Sequence, residues 1–324
     1  MKRWLATAPD GSPRQSFFLS SAFDHAICGA DSSVNAMTAG LLMTGLVLTS
    51  LFLILFVLER FVPLRTARHA LARRLLVNLS ISALAIGAAA ALVQPTATAT
   101  LQYVSDRRFG LIYLVDLPAP VQLVIGFVLM DLLFYYWHRA NHKIPFLWRF
   151  HNVHHIDPDL DVSTAFRFHF GEVALSAGFR VVQIALIGVS PLTFAIYELV
   201  YQANTLFHHS NVRLPVRVER LLNKILVTPR MHGIHHSEIW RENNSNYSVV
   251  FPWWDRLHRT LRLNVPQSRI VIGIPGYAAA ADSRLGNALL LPFVRQRSYW
   301  QSVDGTNVER NPTDIKIPLG TMEE

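Results

Sequence analysis

Fourteen histidines occur in 324 residues, and twelve of them fall between His138 and His258. The densest stretch, His138 to His155, reads HRANHKIPFLWRFHNVHH, and its second half returns in outline as HGIHH at His232–His236. At ~3.6 residues per helical turn, His138 and His142 share one face, as do His151, His154 and His155, and again His232, His235 and His236. Pro145 removes a backbone donor and disfavours one continuous helix, so the first two combs converge from two short helices or a kinked one. Burying so many imidazoles without partners would be costly. Neutral imidazole is a ligand for Zn, Cu, Fe and Ni, which makes metal binding the chemistry to test.

Ligand number narrows the reading. A catalytic zinc site takes about three protein ligands and a structural one about four, so the eight box histidines exceed the needs of one tetrahedral ion and imply two metals close together. The single cysteine, Cys28, excludes a thiolate cluster and leaves nitrogen and oxygen donors. A ninth imidazole can come from a further helix on which Asn204 and His208 stand four apart, with Asn204 at an open position directly or through water. His209 points roughly 100° away from His208 and is the weaker candidate. Asp131 shares a helix face with Tyr135, His138 and His142. Its carboxylate either orients a ligand imidazole or makes a polar contact between helices. His169, in RFHFGE, is either a ligand or its support, or else a structural hydrogen-bonding residue. His25, His69 and His258 read as surface or capping histidines.

The elements that must hold these residues are apolar. Hydrophobic residues make up 51% and charged residues 16%, a membrane composition. The net charge of +8 comes from Lys and Arg in short loops beside apolar runs, which favours membrane flanks over nucleic acid. Residues 1–36 form a lead-in without the pattern of a removable signal peptide. Spans are expected at about 37–58, 75–93 and 120–137, with a hairpin at 172–207 broken by Ser190 and Pro191. The first run, Met37 to Leu58, has no charge and is long enough to cross a ~30 Å hydrocarbon core. Residues 94–120 read as an external loop, and 265–324 as a peripheral C-terminal tail after a membrane domain of 37–264. Arg180 and Glu198, on opposite arms of the hairpin, are expected to pair. Arginines at 65, 68, 73 and 74 place the first loop in the cytoplasm, and the count of crossings returns every histidine box to that side. The fold expected is an all-α integral membrane helix bundle with a cytoplasmic helical cap carrying the histidine boxes.

With HRANH, HNVHH, the His208 region, HGIHH and then NSNYSVVFPWWDRLHRTL, residues 120–262 resemble the fatty acid hydroxylase/sterol desaturase superfamily of membrane di-iron oxygenases. The chain carries His258-Arg259 where members usually have Phe-Gly, and Phe170 where they usually have Pro. The resemblance implies two Fe ions held by His138, His142, His151, His154, His155, His208, His232, His235 and His236, with O2 as cosubstrate and a bilayer lipid such as a sterol, fatty acyl chain or ether lipid as substrate. The reaction implied is hydroxylation or desaturation. No flavin, nicotinamide or haem motif is visible, so electrons are expected from a separate cytochrome b5-like protein, ferredoxin or reductase. A bacterial inner membrane is the expected location. Two other classes are weighed against this one. A zinc-dependent membrane hydrolase lacks HExxH and a general base beside the boxes, and a metal transporter should place its ligands at mid-span with acidic partners.

Overall fold

The computed structural model describes Gly40 and residues 42–302, 304–310 and Met322; the lead-in 1–36 and the first residues of the expected first span lie outside the described residues. The chain divides into two compact units, 1–50 and 51–324. The described part of the first is helical. The described residues are mainly helical, with isolated bridges in place of strands.

Among the described residues, four helices are long and apolar enough to cross a membrane: α1, Leu42–Phe61; a long rod, Leu71–Leu114; α4, Ala119–Lys143; and α6, Phe170–Ile187. Large apolar side chains such as Leu53, Ile54, Leu79, Ile86, Val124 and Val182 remain exposed on these helices, as a lipid-facing surface requires. The rod differs from the sequence expectation. It consists of α2, Leu71–Ala88, a π-helical stretch, Ala89–Val93, and α3, Gln94–Arg107, so the first half of the expected external loop is helical. Pro95 cannot donate to the carbonyl four residues back, and the π stretch just before it absorbs the break without ending the helix.

Pro145 acts as expected. α4 stops at Lys143, Ile144 is extended, and α5, Pro145–His155, starts with proline in its first turn. The hairpin is formed by α6 and α7, Pro191–His209, joined through Gly188 at φ +81° and Ser190, whose hydroxyl accepts from the Thr193 N–H. A Cβ on Gly110 would overlap the backbone of Gly188, so the end of α3 and the hairpin turn meet closely. α6 and α7 both pack on α4. Arg180 on α6 and Glu198 on α7 are 2.5 Å apart, the pairing expected from sequence.

Two cores follow from this topology. The bundle core joins Leu101, Val104, Met130, Ile184 and Tyr197 from α3, α4, α6 and α7. The cap core joins Val77 and Ile81 of α2 to Trp148 and Val153 of α5 and to Ile274, Tyr277, Ala288 and Leu291. Part of the segment read as a peripheral tail is therefore cap core. Its apolar residues lie in loops, 3-10 turns and the six-residue helix Leu285–Leu290, all too short to impose a period on the sequence.

Candidate metal centre

The histidines gather at the cap end of the bundle in two groups. His138, His142, His151, His155 and His235 each offer a ring nitrogen, all within 4.8 Å of one another, and His154, His209, His232 and His236 do the same. α4 supplies two of these imidazoles, α5 three, the end of α7 one, and α9, Pro229–His235, with the residue after it, three. The groups adjoin through stacked rings. His155 and His236 are 4.4 Å apart between centroids, and His232 and His235 are 5.0 Å apart.

In the first group four of the five rings are anchored by their outer nitrogens. His138 Nδ1 lies 2.7 Å from the Tyr247 carbonyl, and His235 Nδ1 lies 2.7 Å from the Ser245 carbonyl. His151 Nδ1 lies 2.9 Å from a Glu172 carboxylate oxygen, and His155 Nδ1 lies 3.1 Å from Asn243 Nδ2. A carbonyl or carboxylate can only accept, so Nδ1 of His138, His151 and His235 carries the proton and Nε2 keeps its lone pair. The Nε2 atoms of His151, His155 and His235 and both ring nitrogens of His142 are buried without a hydrogen-bond partner. Buried lone pairs aimed at a common point, all but those of His142 on rings backed by an orienting partner, are what a bound cation requires.

In the second group Nε2 of His209 lies 3.0 Å from Nε2 of both His154 and His232, and His236 Nε2 lies 3.1 Å from His232 Nε2. Only His209 has its outer nitrogen anchored within the cap, at 2.8 Å from the Thr205 carbonyl. Burial, reinforced by neighbouring imidazoles, holds His154, His155, His232 and His236 well below the ordinary histidine range, and His235 is pushed down to about 3. The rings are therefore neutral at pH 7, the form that binds metal. All nitrogen donors and two adjacent groups fit a pair of first-row transition ions, with the Glu172 carboxylate bonded to one of the rings.

The structure brings together eight of the nine histidines named from sequence and puts His209 where His208 was expected. His208 is buried beside this group, 4.1 Å from His232 between ring centroids, with Nδ1 3.3 Å from Asn204 Nδ2. Asn204 also donates to the Val249 carbonyl at 2.5 Å. Residues 208 and 209 lie ~100° apart on α7, and only packing against α5 and α9 decides which one faces the group. His169 belongs to neither group. It caps α6, accepting from the Gly171 N–H at 2.9 Å and contacting the Leu289 carbonyl at 3.1 Å. Asp131 lies away from the imidazoles too. Its carboxylate accepts from the Val250 and Phe251 N–H groups and from Trp254 Nε1.

Sequence reasoning missed Glu172, which opens α6 one turn from the cap, and the role of segment 243–248. Asp255 accepts from the N–H groups of Tyr247 and Ser248, and Asn246, at φ +55°, donates to the Met231 and Arg262 carbonyls. These bonds hold the loop against the histidines. A buried polar network stands behind the second comb. Arg74 on α2 binds both carboxylate oxygens of Asp157 and reaches Asp161, while Arg167 donates to Asn78 and to the Val153 carbonyl. The acidic run after HNVHH was the available signal.

A membrane helix bundle with a nine-imidazole cap defines a class, and known proteins carry a likeness to it. Residues 123–260 match the family model described as fatty acid hydroxylase, which bears out the resemblance carried by the boxes. The chain is 33% identical over 162 residues to ornithine lipid hydroxylase OlsE of Rhizobium tropici, covering 50% of this chain and 48% of that protein. It is 29% identical over 137 residues to human cholesterol 25-hydroxylase (42% and 49%), and 27% identical over 181 residues to alkylglycerol monooxygenase of Danio rerio (55% and 38%). The matched region thus spans about half the length of these curated relatives. No solved structure matches the chain.

Proposed function

We propose that this protein is a membrane lipid oxygenase that binds two iron ions in the two histidine groups and uses O2 to hydroxylate or desaturate a lipid. The observation that carries the reading is the convergence of five and four imidazoles, all buried but the half-buried His142, with partnerless Nε2 atoms in the first group, on a chain whose relatives are named as lipid hydroxylases and a lipid monooxygenase. When bound, two redox-active irons would supply the activation of O2 needed to break an unactivated C–H bond.

The chain's own residues do the positioning. His138, His142, His151, His155 and His235 would hold one ion, and His154, His209, His232 and His236 the other. Tyr247, Ser245, Glu172 and Asn243 fix the rings of the first set by their outer nitrogens. The cap covers the groups and excludes bulk water, while α4, which carries His138 and His142, leads from the bilayer to the site. A lipid substrate would enter from the membrane, and a separate cytochrome b5-like protein, ferredoxin or reductase would deliver electrons on the cytoplasmic side of a bacterial inner membrane.

Metal analysis of purified protein combined with Mössbauer spectroscopy tests the reading. Two irons per chain in a coupled site support it. One tightly bound zinc and no iron would remove it in favour of a hydrolytic site.

A further inference from the structure

We infer that Tyr136 and His258 form a redox-active pair at the outer end of an aromatic chain that draws oxidising equivalents away from the first histidine group; the inference rests on reading that group as an O2-activating metal centre. The chain is continuous. The Tyr247 ring lies 5.2 Å from His142 and 5.9 Å from both His138 and His235. Tyr135 is 6.1 Å from Tyr247, His258 stacks on Tyr135 at 4.7 Å, and Tyr136 is 5.2 Å from His258. Tyr135 and Tyr247 are fully buried, whereas Tyr136 is 44% exposed. The series therefore leads from the metal ligands to the protein surface.

Oxidation of a tyrosine releases its phenolic proton, so the hydrogen bonds decide where an oxidising equivalent can rest. His258 Nδ1 lies 2.8 Å from the Trp254 carbonyl, which can only accept. Nδ1 therefore carries the proton, and Nε2 offers its lone pair to Tyr136 Oη, 2.7 Å away. Tyr136 alone in the series combines exposure with a ring nitrogen at its hydroxyl. Tyr135 Oη lies 3.0 Å from Thr260 Oγ1, whose own proton goes to Asp255 at 2.5 Å. Tyr247 donates to the Asn244 amide oxygen at 3.2 Å, and an amide oxygen does not take the proton away. Tyr247 can pass an electron but cannot hold the radical as well as Tyr136 can.

The step balances as follows. One electron leaves Tyr136 and reduces the oxidised metal centre by one equivalent. The Tyr136 O–H bond breaks and its proton forms an N–H bond at His258 Nε2, giving a neutral tyrosyl radical beside an imidazolium. A one-electron reductant in solution then restores Tyr136, and the proton returns from His258. When no lipid is present, this route spares the ligand imidazoles from oxidation.

The test uses the iron-loaded full chain in detergent without lipid substrate, treated with hydrogen peroxide and freeze-quenched for high-field EPR. A tyrosyl radical is expected in the wild type, with its largest g value lowered by the hydrogen bond from His258. Tyr136→Phe should lose that signal, and His258→Phe should raise the g value. His258→Gln, a milder replacement, should also shift it and covers the case in which the Phe variant does not fold. A radical retained at wild-type yield in Tyr136→Phe, or iron that peroxide oxidises in the wild type with no tyrosyl signal, would overturn the inference while leaving the oxygenase reading intact. Absence of iron, or iron inert to peroxide by Mössbauer spectroscopy of the same sample, would overturn both.

Discussion

His151 Nδ1 and a Glu172 carboxylate oxygen are 2.9 Å apart, both side chains are buried, and the contact ties the first turn of α6 to a ring whose Nε2 faces the first histidine group. The carboxylate sets the ring's tautomer and raises its donor strength. Glu172→Gln should weaken iron binding at the first group by roughly 10–100-fold. Chelator competition measures this, and an unchanged affinity would show that the contact only packs α6 against α5.

The second group distinguishes two adjacent histidines. His209→Ala removes a converging Nε2 and should cut bound metal towards one ion per chain. His208→Ala leaves all four converging nitrogens in place and should retain near-normal metal content. Elemental analysis of the two variants decides it, and the reverse order of loss would mean that His208 is the ligand.

Stability should depend on pH in a direction fixed by the buried rings. His235 is pushed down to about 3 in the fold, whereas an unfolded histidine titrates near about 6.5. Below pH ~6.5 the unfolded chain binds the proton first, so stability is full above that pH and is lost as pH falls towards the folded value. Each such ring contributes roughly 1.4 kcal/mol of loss per pH unit. Thermal melts of the metal-free protein should be flat above pH ~7 and fall steeply below pH ~6. Equal melting temperatures at pH ~7 and ~5 would contradict this.

Arg74 is buried against Asp157 and Asp161, two residues beyond His155 and further. Arg74→Leu leaves Asp157 without its bidentate partner and Asp161 with only the longer contact to Arg60, and should cost about 3–5 kcal/mol in unfolding free energy. The double change Arg74→Leu with Asp157→Asn should recover part of that loss. Additive effects in denaturant titrations would show that the pair is not coupled.

How much of this was legible in the sequence follows from what periodicity encodes. The long apolar helices, the break at Pro145 and the Arg180–Glu198 pairing come from local rules of length, proline chemistry and charge burial; the break and the pairing are as expected, while the second apolar helix runs on past its expected end. The histidine combs were legible because i, i+3 and i+4 spacing fixes a face. That spacing does not fix how a helix is rotated against its neighbours, which is why the sequence ranked His208 above His209 and the fold brings His209 to the second group. Nor does it report contacts between distant segments, so Glu172 and the cap-core role of Ile274 and Leu291 appear only once the chain is folded. Asp131 had the right helix face for a histidine partner. In the fold it instead meets the backbone of residues 250 and 251 and the Trp254 indole, a contact 119 to 123 positions away.

The loop carbonyls of Ser245 and Tyr247 orient His235 and His138 through the main chain rather than through side chains. Every residue has a carbonyl, so the identities of residues 245 and 247 can change without removing the acceptor that each ring needs. What must persist is the path of the loop, and that path is set by Asn246 and Asp255. Ring orientation therefore depends on two anchoring side chains, and losing either one would disturb rings borne on two separate helices at once.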